Sequence, residues 1–266
     1  MLLGLCASIS EIREVKALGF DFIEPALFAL ETIEDTELKR TADEIRELDF
    51  SPLCFNCLFP ASIPLLGEDA NHNRIQEYLN NVFPKAADLG GKTVVFGSGG
   101  ARRRPDDLTP EKAFEQLVAV TRILGDVAAK NGITIAIEPL QPGDTNMITS
   151  LSQGCDLAHA VNHPSVRLLA DNYHMANSND SVDELAQNID LLCHIHVAAV
   201  LSGDPSVRYL PDENDTYKTE PFIHALRKTG YRGTISLECL PAKNPREKEE
   251  AQRVMRHWLT KKADSI

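Results

Sequence analysis

Residues 133–139 read Ile133-Thr134-Ile135-Ala136-Ile137-Glu138-Pro139. Isoleucines alternate with small or polar residues, the turn pair Asn131-Gly132 precedes the run and Pro139 closes it, which is the pattern of a short buried strand. That strand delivers one carboxylate, Glu138, to its C-terminal end. Three later stretches repeat the arrangement: Val166-Arg167-Leu168-Leu169-Ala170-Asp171, Leu192-Cys193-His194-Ile195-His196-Val197 and Thr234-Ile235-Ser236-Leu237-Glu238. A single acid at a strand end is ordinarily a solvated loop carboxylate; it is the set of four that points to a site. In a parallel barrel the carboxyl ends of the strands form one mouth, and all four end groups meet there. Two Glu, one Asp and one His then make a divalent-metal site. The oxygen-rich donor set suits Mn2+, Mg2+ or Co2+ better than structural zinc, which favours thiolates.

Working outward, the same strand signal appears at 2–7, 20–25 (with Glu24 near its end), 52–58 and 92–97. Helical patterns fall at 9–18, 32–48, 71–89, 109–130, 151–161, 182–189, 220–228 and 245–259. The fourth helix opens on Thr109-Pro110-Glu111, an N-cap followed by a proline in the first turn. Pro84 inside the third helical stripe predicts a kink near residues 80–84. Residues 60–67 read as a long loop over the barrel mouth. Strand and helix alternate eight times without a run of consecutive hairpins, which implies a parallel sheet, and at this length a closed (β/α)8 barrel. No linker or low-complexity tract divides the chain, so one α/β domain over residues 1–266 is expected.

The chain has 266 residues, 43% hydrophobic and 25% charged, as expected of a soluble globular protein with one large core. Its formal net charge of -12 speaks against nucleic acid or an anionic membrane as partner, since both call for a basic footprint. The apolar start Met1-Leu2-Leu3-Gly4-Leu5-Cys6 lacks a basic flank and meets Ser8, Ser10 and Glu11 too soon for a signal peptide, and no run approaches a membrane span. Cys6, Cys54, Cys57, Cys155, Cys193 and Cys239 lie mostly in apolar stretches and read as buried free thiols of a cytoplasmic protein. Cys54-Phe55-Asn56-Cys57 has neither a second pair for zinc nor a clear helix start for redox chemistry.

Two further stretches leave alternatives open. Gly97-Ser98-Gly99-Gly100 follows a strand and suits a phosphate cradle, but matches no nucleotide-binding pattern, and loop flexibility is the plainer reading. In Arg102-Arg103-Arg104, one guanidinium reaches an anionic or polyhydroxy ligand, or the run is simply solvated. On the seventh strand His194 and His196 share a face, because strand side chains alternate with period two. His196, nearer the carboxyl end, is the better ligand. His174 lies on the loop leaving the Asp171 strand, within reach of a substrate hydroxyl.

The segments I-E-P-L (137–140), L-A-D-N-Y-H-M (169–175), H-I-H-V-A (194–198) and S-L-E-C (236–239) resemble the xylose isomerase-like superfamily of sugar isomerases and epimerases. Within it the chain is most similar to ketose 3-epimerases and hydroxypyruvate isomerase-like proteins. The resemblance implies a TIM barrel in which Glu138, Asp171, His196 and Glu238 bind Mn2+ or a similar ion, with the two Glu also acting as acid and base. It implies substrate contacts from His174 and Asp144, and a dimer or tetramer. The epimerase pattern places a substrate-binding Arg six residues after the metal His, where this chain has Ser202; Arg208 is the nearest substitute. Gln141-Pro142 stands where the epimerases carry Asn-Arg, and Asp144 where they carry Glu. The implied chemistry is proton abstraction next to the carbonyl of a small polyhydroxy ketone through an enediolate, with 3-epimerisation favoured over aldose-ketose or hydroxypyruvate-type isomerisation. Two readings from other classes remain: an endonuclease IV-like metallo-phosphodiesterase, disfavoured by the charge, and a sugar-binding protein without catalysis, disfavoured because all four ligands are present.

Overall fold

A computed structural model describes residues 1–201, 204–214, 219–239 and 245–261, and in it the alternation of strand and helix curls into a barrel. Seven strands come first: β1 (Leu2–Cys6), β2 (Phe22–Glu24), β3 (Cys54–Phe55), β4 (Thr93–Phe96), β5 (Thr134–Ile137), β6 (Val166–Asp171) and β7 (Leu192–Val197). A small antiparallel hairpin, β8 (Ala199–Leu201) and β9 (Asp204–Tyr209), follows, and β10 (Thr234–Leu237) is the last barrel strand. The eight barrel strands are all parallel, in the order β2-β1-β10-β7-β6-β5-β4-β3. The seam between β2 and β3 is closed by a bridge in which Leu27 N–H donates to the Asn56 carbonyl at 2.7 Å and Asn56 N–H donates to that of Pro25 at 3.0 Å. The hairpin departs from strict alternation.

Each barrel strand buries both faces, and period two separates them. Val94, Phe96, Ile135, Ile137, Leu168, Ala170, Ile195, Val197, Ile235 and Leu237 join the large core between barrel and helices. The alternate residues Val95, Ala136 and Leu169 form a separate small apolar cluster. They share their strands' faces with Gly97, Glu138 and Asp171, so this is the barrel interior beneath the mouth. A Cβ on Gly4 would lie 2.3 Å from the Phe22 ring, so β1 carries glycine where Phe22 fills the lower barrel.

The helices are α1 (Ile12–Ala17), α2 (Asp35–Leu48), α3 (His72–Asp88), α4 (Pro110–Lys130), α5 (Leu151–Val161), α6 (Asn172–Ser178), α7 (Glu184–Gln187), α8 (Thr219–Lys228) and α9 (Pro245–Thr260). The N-cap of α4 is Thr109, whose hydroxyl accepts from Lys112 N–H, with Pro110 in the first turn as its sequence suggests. The structure is continuous through Pro84 in α3. β3 is shorter than the 52–58 expected, because Asn56 is taken by the seam bridge and Cys57 turns the chain with φ 49°. Residues 60–67 are a packed loop: Ile63, Leu65 and Leu66 are buried, and Leu65 N–H donates to the Ala101 carbonyl at 2.9 Å. Among the described residues no helix is long and apolar enough to cross a membrane.

The arginine run has a role that neither reading of it anticipated. Arg102 is fully buried and donates to the carbonyls of Phe96 (2.9 Å), Glu138 (2.7 Å) and Ile148 (3.3 Å). It ties the end of β4 to the residue just past β5. Burial lowers its pKa to about 10, which leaves it charged at neutral pH. Arg103 donates to the Asp144 carbonyl, and Arg104 to those of Pro105 and Leu108. All three guanidiniums donate to backbone carbonyls. Replacing Arg102 by Met removes three charge-assisted hydrogen bonds and strands the Glu138 carbonyl, while those of Phe96 and Ile148 keep the N–H groups of Glu138 and Leu140, a loss of about 3 kcal/mol. The thermal unfolding midpoint of Arg102→Met should fall by roughly 6–12 °C; a fall of under 2 °C in a scanning calorimeter would contradict the clamp.

Candidate active site

Four strands carry the site. Glu138 is the first residue past β5, Asp171 ends β6, His196 is next to last in β7, and Glu238 is the first residue past β10. The sheet ladders fix their level: Asp171 pairs directly with His196, which in turn pairs with Ser236. Glu138 N–H donates to the Phe96 carbonyl at 3.2 Å and Glu238 N–H to that of Val197 at 3.0 Å, which extends both strands by one residue toward the mouth. The result is one cluster in which a ligand atom from each of Glu138, Asp171, His196 and Glu238 lies within 4.8 Å of the other three. Glu138, Asp171 and His196 are buried and Glu238 is half-buried.

The cluster is held from behind. His196 Nδ1 faces Glu138 Oε1 at 3.1 Å and Glu238 Oε2 at 3.6 Å, and its Nε2 meets Glu24 Oε1 at 2.8 Å. Glu138 lies in a niche that exists because residue 97 is glycine. A Cβ at Gly97 would stand 2.3 Å from Glu138 Oε2, and one at Gly99 would stand 2.8 Å from the Asp144 carbonyl oxygen. Gly97 and Gly99 therefore serve close approach, where flexibility is the plainer reading of the sequence. Asp171 is also the N-cap of α6: its Oδ1 accepts from Tyr173 N–H at 2.6 Å and His174 N–H at 3.3 Å, which leaves the second oxygen for the cluster.

The α6 cap corrects the expectation that His174 sits on a loop. His174 lies in the first turn of a helix that begins directly at the strand end, and it is buried. Its Nδ1 accepts from Gln141 N–H at 3.0 Å, and its Nε2 lies 2.7 Å from an Arg208 nitrogen. Asp144, on the exposed rim, has Oδ2 at 3.8 Å from His174 Nδ1 and accepts from the Gln141 amide at 3.3 Å. The same amide donates to the Tyr173 hydroxyl at 3.1 Å. Arg208 comes from β9 of the hairpin, stacks over the Tyr173 ring with its guanidinium carbon 4.5 Å from the centroid, and pairs with Glu238. Ser202 lies outside the described residues. All seven residues singled out in the sequence thus gather at one mouth. Glu24, Gly97 and Tyr173 were missed as site-builders; the Glu at the end of a strand was the available signal for the first.

Electrostatics support a cation here. Burial alone would raise the Glu238 carboxyl, but His196 and Arg208 outweigh it and hold it at about 2. For His196 burial opposes the charged form, yet Glu24 and Glu238 raise its pKa above the ordinary value. For Arg208, too, burial is outweighed by Glu238, Asp171 and Glu138, which raise its pKa. Three carboxylates and one imidazole nitrogen facing a common point form a donor set that fits a divalent ion taking hard oxygen ligands.

Comparison with known proteins follows the same line. Residues 12–262 match the xylose isomerase-like TIM barrel family. The chain belongs to that family. Its relatives include a probable ketose 3-epimerase of Synechocystis sp., 26% identical over 258 residues that cover 93% of this chain and 82% of the relative. A 3-dehydro-D-guloside 4-epimerase of Escherichia coli is 24% identical and covers 86% of each chain. Among solved structures, D-psicose 3-epimerase in the presence of D-fructose superposes with a TM-score of 0.83 at 18% identity, covering 97% of this chain and 99% of that one. The family members that this chain resembles are therefore sugar epimerases.

The niche at residue 97 supplies a direct check on the cluster. Glu138 is the far end of a flexible side chain, so Gly97→Ala should displace its carboxylate and leave the fold standing. Calorimetric titration with Mn2+ should show affinity reduced by about tenfold or more, at an unfolding midpoint near that of the parent. Unchanged Mn2+ affinity would remove Glu138 from the cation site.

Proposed function

We propose that this chain is a divalent-metal-dependent sugar epimerase acting on a small ketose, with 3-epimerisation as its reaction and Mn2+ as its ion; Mg2+ or Co2+ are the alternatives by donor set. The observation that carries the reading is the approach of Glu138 and Glu238 to one imidazole from opposite flanks. β10 lies on one side of β7, and β6 and then β5 lie on the other. Two carboxylates reaching a substrate from opposite sides suit removal of a proton from one face and its return on the other.

In this reading Glu138, Asp171, His196 and Glu238 hold the ion. When bound, it supplies Lewis acidity that draws charge onto the substrate's carbonyl oxygen. One Glu takes the proton from the carbon beside the carbonyl, and its counterpart delivers one to the opposite face. His174, Asp144 and Arg208 bind substrate hydroxyls. The His174 ring meets donors at both nitrogens, whereas a neutral imidazole can accept at only one. A substrate hydroxyl entering between Arg208 and His174 relieves that conflict, because its oxygen can accept from the guanidinium and from His174 Nε2–H while Nδ1 still accepts from Gln141. The six free cysteines support a reducing, cytoplasmic setting, and one domain over residues 1–266 would carry the site, in a homo-oligomer as the resemblance of the sequence implies.

Solvent-exchange labelling tests the reaction. With a reactive ketose in D2O and saturating Mn2+, deuterium should enter at C3 with inversion, and Glu138→Gln and Glu238→Gln should each lower turnover by about 100-fold or more. Label only at C1 or C2, with an aldose formed, would replace epimerisation by aldose-ketose isomerisation. Near-normal turnover in either variant with ion bound would overturn the two-carboxylate mechanism.

A further inference from the structure

Glu24, at the end of β2, is fully buried, and each of its oxygens is taken by a different histidine. Oε1 lies 2.8 Å from His196 Nε2 and Oε2 lies 2.9 Å from His194 Nε2. His194 is buried as completely, and its Nδ1 is 2.7 Å from the Thr234 hydroxyl and 3.2 Å from the Thr234 carbonyl on the neighbouring strand. The two rings stand edge to face with centroids 5.0 Å apart. A continuous polar chain, Thr234–His194–Glu24–His196, thus crosses the barrel interior from β10 through β7 to β2 and back to the ligand cluster.

The direction of its hydrogen bonds has a consequence. A carboxylate only accepts, so His196 must carry a proton on Nε2. By the same rule Nδ1, which faces Glu138 and Glu238, carries a proton while those carboxylates are its partners; an ion would take the place of that proton and leave a neutral ring that keeps its N–H toward Glu24. The opposite tautomer would point an N–H into the cluster, donate it to Glu138 and exclude an ion. Which ring nitrogen binds a metal is decided by the hydrogen bond that the other one makes. Glu24 can impose that choice only if it cannot turn away, and the bond from His194 to its second oxygen prevents it from turning.

We propose that Glu24, anchored by His194, is a positioning residue that locks His196 with Nδ1 toward Glu138, Asp171 and Glu238. This rests on the divalent-ion reading above. It also accounts for the H-x-H pattern of β7: one histidine faces the cluster, and the other fixes the carboxylate that orients it.

The test uses the full chain as parent, Glu24→Met and Glu24→Gln. Met keeps the length and loses the acceptor; the Gln amide oxygen can still accept from His196. Mn2+ affinity by calorimetry should fall about 10- to 100-fold in Glu24→Met and largely recover in Glu24→Gln. In 15N-correlated spectra of the Zn2+-loaded parent, His196 should show a slowly exchanging N–H at Nε2; Glu24→Met should lose it and Glu24→Gln should regain it. Mn2+ affinity within twofold of the parent in a folded Glu24→Met overturns the proposal. So does a parent spectrum without that N–H, which needs no variant to fold. Two ions per parent chain, falling to one in Glu24→Met, would make Glu24 a ligand in its own right and overturn it as well. A parent that binds no divalent ion at all defeats the functional reading and this inference together, whereas a binding parent with an indifferent Glu24→Met defeats the inference alone.

Discussion

Three carboxylates brought within 4.8 Å of one another are the constraint on which the structure turns. At about 4 Å and an effective dielectric of about 20, each like-charge pair costs roughly 4 kcal/mol. Three such pairs approach the whole net stability of a typical domain, about 5–15 kcal/mol. Such a cluster persists only on a stiff scaffold and with positive charge nearby. The barrel provides the first through ladders that set Asp171 and His196 at one level and extend β5 and β10 by one residue each. Arg208 provides part of the second, and a divalent ion would supply the rest.

Around the cluster, each supporting group removes one way for the carboxylates to relax. Arg102 grips the Glu138 carbonyl from inside the protein, and Gly97 leaves room for its side chain and nothing larger. Asp171 is held by the backbone amides of the helix that it caps, so its oxygen position is tied to the start of α6. Glu24 and His194 orient the only nitrogen in the set. The groups proposed to face substrate sit on less regular elements: the rim around Gln141 and Asp144, the first turn of α6, and the β8–β9 hairpin. The epimerase relatives share the barrel, and these irregular elements are where a chain of this family can change the sugar it accepts without disturbing the centre.

The barrel was legible because its signals are local. Strand ends at Glu138, Asp171 and Glu238 follow from period-two runs stopped by turn residues, and the gathering of those ends follows from parallel alternation alone. What was hidden depends on contacts between distant residues. The Glu24–His196 bond joins positions 172 apart in sequence. For Arg102 the sequence offers a ligand contact or a solvated charge run, yet three carbonyls from separate segments converge on it. The sequence places His174 on a loop because the signal for α6 is its N-cap, and that cap is the same Asp171 that marks the strand end. The glycines at 97 and 99 carry no mark in the sequence to tell tight packing from flexibility.

The central claim is that one divalent ion is bound by Glu138, Asp171, His196 and Glu238. Anomalous diffraction from crystals soaked in Mn2+ tests it most directly. The account predicts a single strong peak bounded by the three carboxylates and His196 Nδ1, with Nε2 still bonded to Glu24. An empty mouth at millimolar Mn2+, or a peak centred on Glu24, His194 and Cys54 instead, would contradict it.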